Sequence, residues 1–183
     1  MKQMVLLSFL MYVSLFSYGQ KAGLREITPE DLQKINEEIE KKIPSLTQEL
    51  IRSKSSKDEI EFSIDTFRIR QIAAKKISIN YSTSGMNRII VEMTESYKKL
   101  MNKYYNKLLN SFERKDRATL VAAQKGWLIY REAETKLIHL VNKKTYTGGG
   151  TMYSTIATEL YSDLVLQRTL EIFRYYKDIA SAK

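Results

Sequence analysis

The chain has 183 residues, with 30 Lys and Arg against 21 Asp and Glu, a formal net charge of +9, seven glycines, two prolines, one histidine and no cysteine. Without cysteine it has neither a disulfide framework nor a thiolate metal centre, and a single histidine falls short of the usual ligand set of structural zinc. So few helix-breaking residues leave long uninterrupted segments, and a chain of this length can bury one sizeable core.

Lys2 precedes an apolar run from Met4 to Phe16 that closes on Ser17-Tyr18-Gly19. The run is shorter than the roughly 20 residues a helix needs to cross a bilayer, and its position and small-residue end are those of an export signal, residues 1–19, cleaved after Gly19. Residues 20–183 then form one mature helical domain, one positive charge poorer for the loss of Lys2 and without a cysteine to carry a lipid. A periplasmic or secreted protein with no stable membrane insertion after cleavage is expected.

The first helix opens at Thr28-Pro29-Glu30-Asp31, where Thr28 can cap, Pro29 suits the first turn and two acids meet the positive helix end. Leu32, Ile35, Ile39 and Ile43 continue it at helical spacing, Pro44 should break or kink it, and Leu46, Leu50 and Ile51 resume the apolar face. A polar link, Ser53 to Lys57, follows. Residues 58–79 carry two patterns, since Ile60, Phe62 and Ile64 alternate as in a strand while Ile60, Ile64 and Phe67 also fit a helix. The acids Asp58, Glu59, Glu61 and Asp65 at the start and the bases Arg68, Arg70, Lys75 and Lys76 at the end match a helix dipole, which favours helix.

After a turn at Ser82 to Gly85, the residues Met86, Ile90, Met93, Tyr97, Leu100, Tyr104 and Leu108 form one apolar stripe. That spacing makes Tyr97 and Tyr104 core residues rather than a nucleic-acid stacking platform, and export argues further against nucleic acid. Lys98, Lys99, Lys103, Lys107, Arg114, Lys115 and Arg117 form a candidate basic surface for an acidic partner.

The helix from Asp116 to Asn142 reads as the organising element. Leu120, Ala123, Trp127, Tyr130, Glu134, Leu137 and Val141 share one face, so the only tryptophan should lie in a core seam and Asp116 should cap the start. A carboxylate in a seam needs a partner, and Arg168 or Arg131 can supply it for Glu134. Gly148-Gly149-Gly150 permits a tight reversal with positive backbone angles before a last helix carrying Met152, Ile156, Leu160, Leu164 and Ile172. The glycines lack the Lys-Ser or Lys-Thr of a phosphate loop. Lone His139 suits a structural or solvent-edge position, and Glu132 and Glu134, two apart on a helix, do not flank one substrate bond. No catalytic, metal-binding or cofactor-binding set emerges. An all-α fold of about four to five amphipathic helices packed antiparallel is the expectation.

The pattern Leu120-x-x-Ala123-Gln124-x-x-Trp127-x-x-Tyr130-Arg131-x-x-Glu134, followed by Gly148-Gly149-Gly150-Thr151 and Arg168-Thr169-x-Glu171, resembles the lysozyme-inhibitor LprI-like family of exported bacterial proteins. The resemblance covers about residues 85–175, including the Asn102 to Leu109 stretch. It implies a small helical envelope domain in which Ala123, Gln124, Trp127, Tyr130, Arg131, Glu134, Gly148, Gly149, Gly150 and Arg168 are motif positions, structural in role. It also implies cysteines near Thr135 and Leu160 in many members, which this chain lacks. The expected function is therefore a non-enzymatic envelope interaction protein, without cofactor, that meets a lysozyme-like enzyme or an anionic envelope polymer. A small-ligand-binding helical module of the periplasm is the alternative. The sequence sets no oligomeric state.

Overall fold

A computed structural model describes residues 25–182, and the export-signal reading lies outside them. The described elements are α1 (Pro29–Glu40), α2 (Ile43–Arg52), α3 (Lys57–Ile79), α4 (Thr83–Ser111), α5 (Arg117–Val141), the single turn α6 (Lys144–Thr147) and α7 (Met152–Ser181). The all-α expectation holds, and no strand occurs among the described residues. The helix count exceeds four to five because Pro44 separates α1 from α2, taking a place in the first turn of α2 where its missing N–H is not needed. Residues 58–79 are helical, as their charge polarity favours.

Helix starts follow local chemistry. The Thr28 hydroxyl accepts from the Asp31 N–H while the Asp31 carboxylate accepts from the Thr28 N–H, a reciprocal capping box. Ser56 and Glu59 form a second one that starts α3. Ser82 accepts from the Gly85 N–H to open α4. Gly85 is required there, because a Cβ at this position would stand 2.2 Å from Asn80 Oδ1. The expected Asp116 cap is not made: Asp116 occupies the N-cap position with helical backbone angles and no side-chain cap hydrogen bond.

The core lies between α4 and α7, which pack along most of their length, with α3 against α4 and with α1 and α2 against α3. Tyr97, Leu100, Tyr104 and Leu108 of α4 are buried, as their spacing predicts, and meet Val165 and Ile172 of α7. Phe62 of α3 stacks on Phe173 with ring centres 3.8 Å apart, and Tyr104 stands edge-on to both. The α4–α7 seam also buries hydroxyls: Thr94 Oγ1 bonds Ser162 Oγ at 2.9 Å, and Thr169 Oγ1 donates to Val165 O at 2.8 Å. These small polar residues satisfy their hydrogen bonds locally, so their burial costs little.

Two sequence expectations are corrected here. The buried face of α7 runs through Ala157, Ser162, Val165, Arg168, Thr169 and Ile172, whereas Met152 and Leu160 are exposed. The organising element is the α4–α7 pair and not α5, which rests mainly on α7. Of the proposed α5 seam only Leu120 is buried. Tyr130, Leu137 and Val141 are each about half exposed, at 52%, 48% and 49%. A helix packed on a single neighbour buries only one narrow stripe, here centred on Leu120 and Ile138, and the rest of its apolar surface stays in water.

Candidate functional site

The motif residues gather on the last hairpin, α5–α6–α7, but divide into three groups. Gln124, Trp127, Arg131 and Arg168 come together where α5 crosses the C-terminal half of α7. Arg168 is nearly buried; its Nε donates to Gln124 Oε1 at 3.1 Å and its Nη1 to Glu171 Oε2 at 3.1 Å. Trp127 is half-buried at the edge of the main core. The guanidinium of Arg131 lies 5.2 Å from its ring centre and that of Arg168 5.9 Å, so the indole makes cation–π contacts with both. Trp127 is thus a latch of α5 on α7 and not the centre of a core.

Glu134 stands apart from this group. Its expected pairing with Arg168 or Arg131 does not occur: α5 and α7 run antiparallel with Arg168 level with Gln124 and Trp127, and the Arg131 guanidinium lies over the Trp127 ring instead. Seven residues separate Trp127 from Glu134, about 10 Å of helix rise. Glu134 instead lines a groove of about 340 Å³ with Leu137, Ile138 and Val141 of α5 and Leu160, Asp163, Leu164 and Gln167 of α7. No lysine or arginine lines this groove, and neither Glu134 nor Asp163 has an ion-pair partner among the described residues. Tyr130 and Ala123, one and three turns back along α5, are exposed. The groove combines apolar side chains with two carboxylates and no cation.

The opposite flank of α5 forms a second groove, about 500 Å³, lined by Val91, Arg131, Glu132, Thr135, Lys136, His139, Ala157, Thr158 and Tyr161. Lys136 donates to Glu132 Oε1 at 2.9 Å and holds that carboxyl below its ordinary range. His139 is exposed at the rim, a solvent-edge position.

The third group, Gly148-Gly149-Gly150, has φ of 78°, 91° and 125°, the positive angles expected of a tight reversal. It joins α6 to α7 and exposes Tyr146 at 69% and Met152 at 63% beside it. Asp163, Gln167 and Tyr161 were not singled out by sequence reasoning. Their signal was the four-residue spacing of Asp163 and Gln167 on the solvent side of α7, which the apolar stripe obscured.

The proposed basic surface is largely neutralised from within. Lys107 donates to Asp58 Oδ1 and Glu61 Oε2, both at 2.7 Å, and Lys103 meets Glu61 and Asp65 at 2.9 and 2.6 Å. Lys98 pairs with Glu95 and Lys115 with Glu113. The acids that start α3 face the middle of α4, so the two helices cancel each other's charge. Among the described residues no group of three His, Asp or Glu side chains is arranged to hold a metal ion, and no helix is long and apolar enough to cross a membrane.

These features define a small all-helical protein whose last hairpin carries an open apolar and acidic face. The family model described as lysozyme inhibitor LprI matches residues 74–172, more than half of the chain, and the chain belongs to that family. No curated protein and no solved structure matches it.

Proposed function

We propose that this is an exported, non-catalytic binding protein that engages a lysozyme-like enzyme through the α5–α7 groove. The observation that carries the reading is the exposure of Tyr130, Leu137, Val141 and Leu160 beside two unpaired carboxylates, Glu134 and Asp163. Contiguous apolar surface with a polar rim is the composition of a protein interface, and Tyr130 is the residue type that anchors one. Tyr130 and Glu134 belong to the motif yet contribute little to packing, which fits a role in recognition.

Local charge supports a basic partner. The chain as a whole is basic, and long-range repulsion would slow its encounter with a basic lysozyme. The groove has the opposite sign, so close-range complementarity opposes that repulsion where the surfaces meet. Inhibition of a basic animal-type lysozyme should therefore be measurable and should fall at least tenfold in Glu134→Lys and in Tyr130→Ala. Undiminished inhibition by both variants would remove the groove from the reading, and no inhibition by the native chain would remove the lysozyme.

The larger groove favours a second reading, a site for a small anionic ligand, because Arg131 has no ion-pair partner there. Calorimetric titration with anionic muropeptides would test it, with Arg131→Ala as the variant expected to lose binding.

A further inference from the structure

The outward side of α5, turned away from α7, carries its own pattern. Ile129 is its most exposed large apolar residue, at 71%, and Leu140 follows at 42%. Counting 100° per residue, Ala118, Ala122, Ile129, Lys136 and Leu140 share one stripe centred on Ile129, about 140° around the helix from Glu134. All of them are exposed, and a Cβ at neighbouring Gly126 would meet nothing within 4 Å. Ile129 and Leu140, exposed on the side of α5 that faces away from its own fold, are open to a partner.

We infer that a second copy of this chain covers it, with the two α5 helices antiparallel and crossing at Ile129. Two independent features select this occupant and this direction. The first is size. The small residues Ala118 and Ala122 lie eleven and seven positions before Ile129, and the long residues Leu140 and Lys136 lie eleven and seven positions after it. A twofold axis through Ile129 places Leu140 over the copy's Ala118 and the stem of Lys136 over the copy's Ala122. A parallel copy would set large against large and leave small facing small.

The second feature is charge. Lys125, four positions before Ile129, and Glu132, three after it, lie on the same flank of the stripe, about 40° and 60° from Ile129 on the wheel. The twofold axis of an antiparallel pair brings like flanks together, so each Lys125 falls within one residue, about 1.5 Å of rise, of the copy's Glu132. Lys125 has no ion-pair partner within its own chain among the described residues, and Glu132 keeps only its exposed bond to Lys136. A self-complementary face of this kind closes a dimer and leaves no further copy of itself exposed. The inference stands apart from the inhibitor reading, since the Glu134 groove faces a different direction.

The absence of cysteine makes the test direct. Helices packed about 8–10 Å apart bring facing Cα atoms to roughly 4–6 Å, within disulfide reach. Under mild oxidation Ile129→Cys should cross-link to a covalent dimer, while Ile51→Cys, equally free of other cysteines and exposed on α2, should not. By light scattering the native chain should double its mass as concentration rises. Lys125→Glu and Glu132→Lys, both at exposed positions, should each weaken that dimer about tenfold, and an equimolar mixture of the two should restore it as a heterodimer. Circular dichroism of each variant would register any loss of fold. A native chain that stays monomeric at its highest soluble concentration overturns the inference. So does equal cross-linking at positions 51 and 129, or a mixture that associates no better than its components, which would leave the face to a different partner.

Discussion

Arg168 is the residue on which the attachment of α5 depends. It reaches Gln124 of α5, Glu171 of its own helix and the face of Trp127 while remaining nearly buried. Replacing it with alanine leaves Gln124 Oε1 without its donor and Trp127 with one cation instead of two. A hydrogen bond from a charged group contributes about 1.5–3 kcal/mol, so Arg168→Ala should destabilise by an amount of that order in denaturant melts. Arg168→Lys should recover little of it, because an ammonium cannot serve two directions and stack at once. Trp127→Ala should cost about 2 kcal/mol, less than the 3–5 kcal/mol of a fully buried aromatic, because the indole is only partly buried. A loss above 4 kcal/mol for Trp127→Ala would contradict this peripheral placement.

At the scale of elements, most boundaries were legible because they rest on local chemistry: the Thr28 capping box, Pro44, the Gly148 to Gly150 reversal and the charge polarity of 58–79 each act within a few residues. Which apolar face is buried was legible for α1, where Ile35 and Ile39 are buried, and for α4, whose neighbours lie on two sides. The long periodic face of α5 suggested a core, but periodicity records which residues share a side and not how many helices reach that side. The partner of Glu134 was misread for the same reason, since antiparallel register is a property of the pair. The α3–α4 ion pairs were equally invisible, although both sets of charges were in view.

Those ion pairs give α3 a pH dependence. The hydrogen bond from Lys107, with that from Lys103, holds the Glu61 carboxyl down at about 2, and Lys107 and the Tyr176 hydroxyl likewise lower Asp58. A carboxyl whose folded value lies below its unfolded one contributes stability above the ordinary carboxylate range and loses it as pH falls toward 2. Thermal melts should therefore drop from about pH 5 downward, and Glu61→Gln should flatten that limb while lowering stability at neutral pH. Partial exposure of these side chains keeps the effect modest. A Glu61→Gln limb as steep as the native one would place the acid sensitivity elsewhere.

For the whole molecule, the layering of helices predicts an order of opening. The α4–α7 pair holds the fully buried Tyr97, Tyr104, Leu108, Val165, Thr169 and Ile172, and α3 seals it with the Phe62–Phe173 stack. Phe62→Ala should accordingly cost about 3–5 kcal/mol and lower the midpoint of the whole transition. By contrast α5 buries only Leu120 and Ile138 and is joined to its neighbours at few points. Local openings draw on regions with few buried apolar contacts, so α5 should detach at lower free energy than global unfolding. Native-state hydrogen exchange should find the slowest amides around Tyr97–Leu108 and Val165–Ile172, with α5 amides exchanging faster through an opening that Arg168→Ala promotes. Addition of a bound lysozyme or formation of the antiparallel dimer should slow α5 and leave α4 unchanged, because both partners act on the hairpin alone. Amides of α5 that exchange as slowly as those of α4 at low concentration and without partner would overturn this hierarchy and restore α5 to the core.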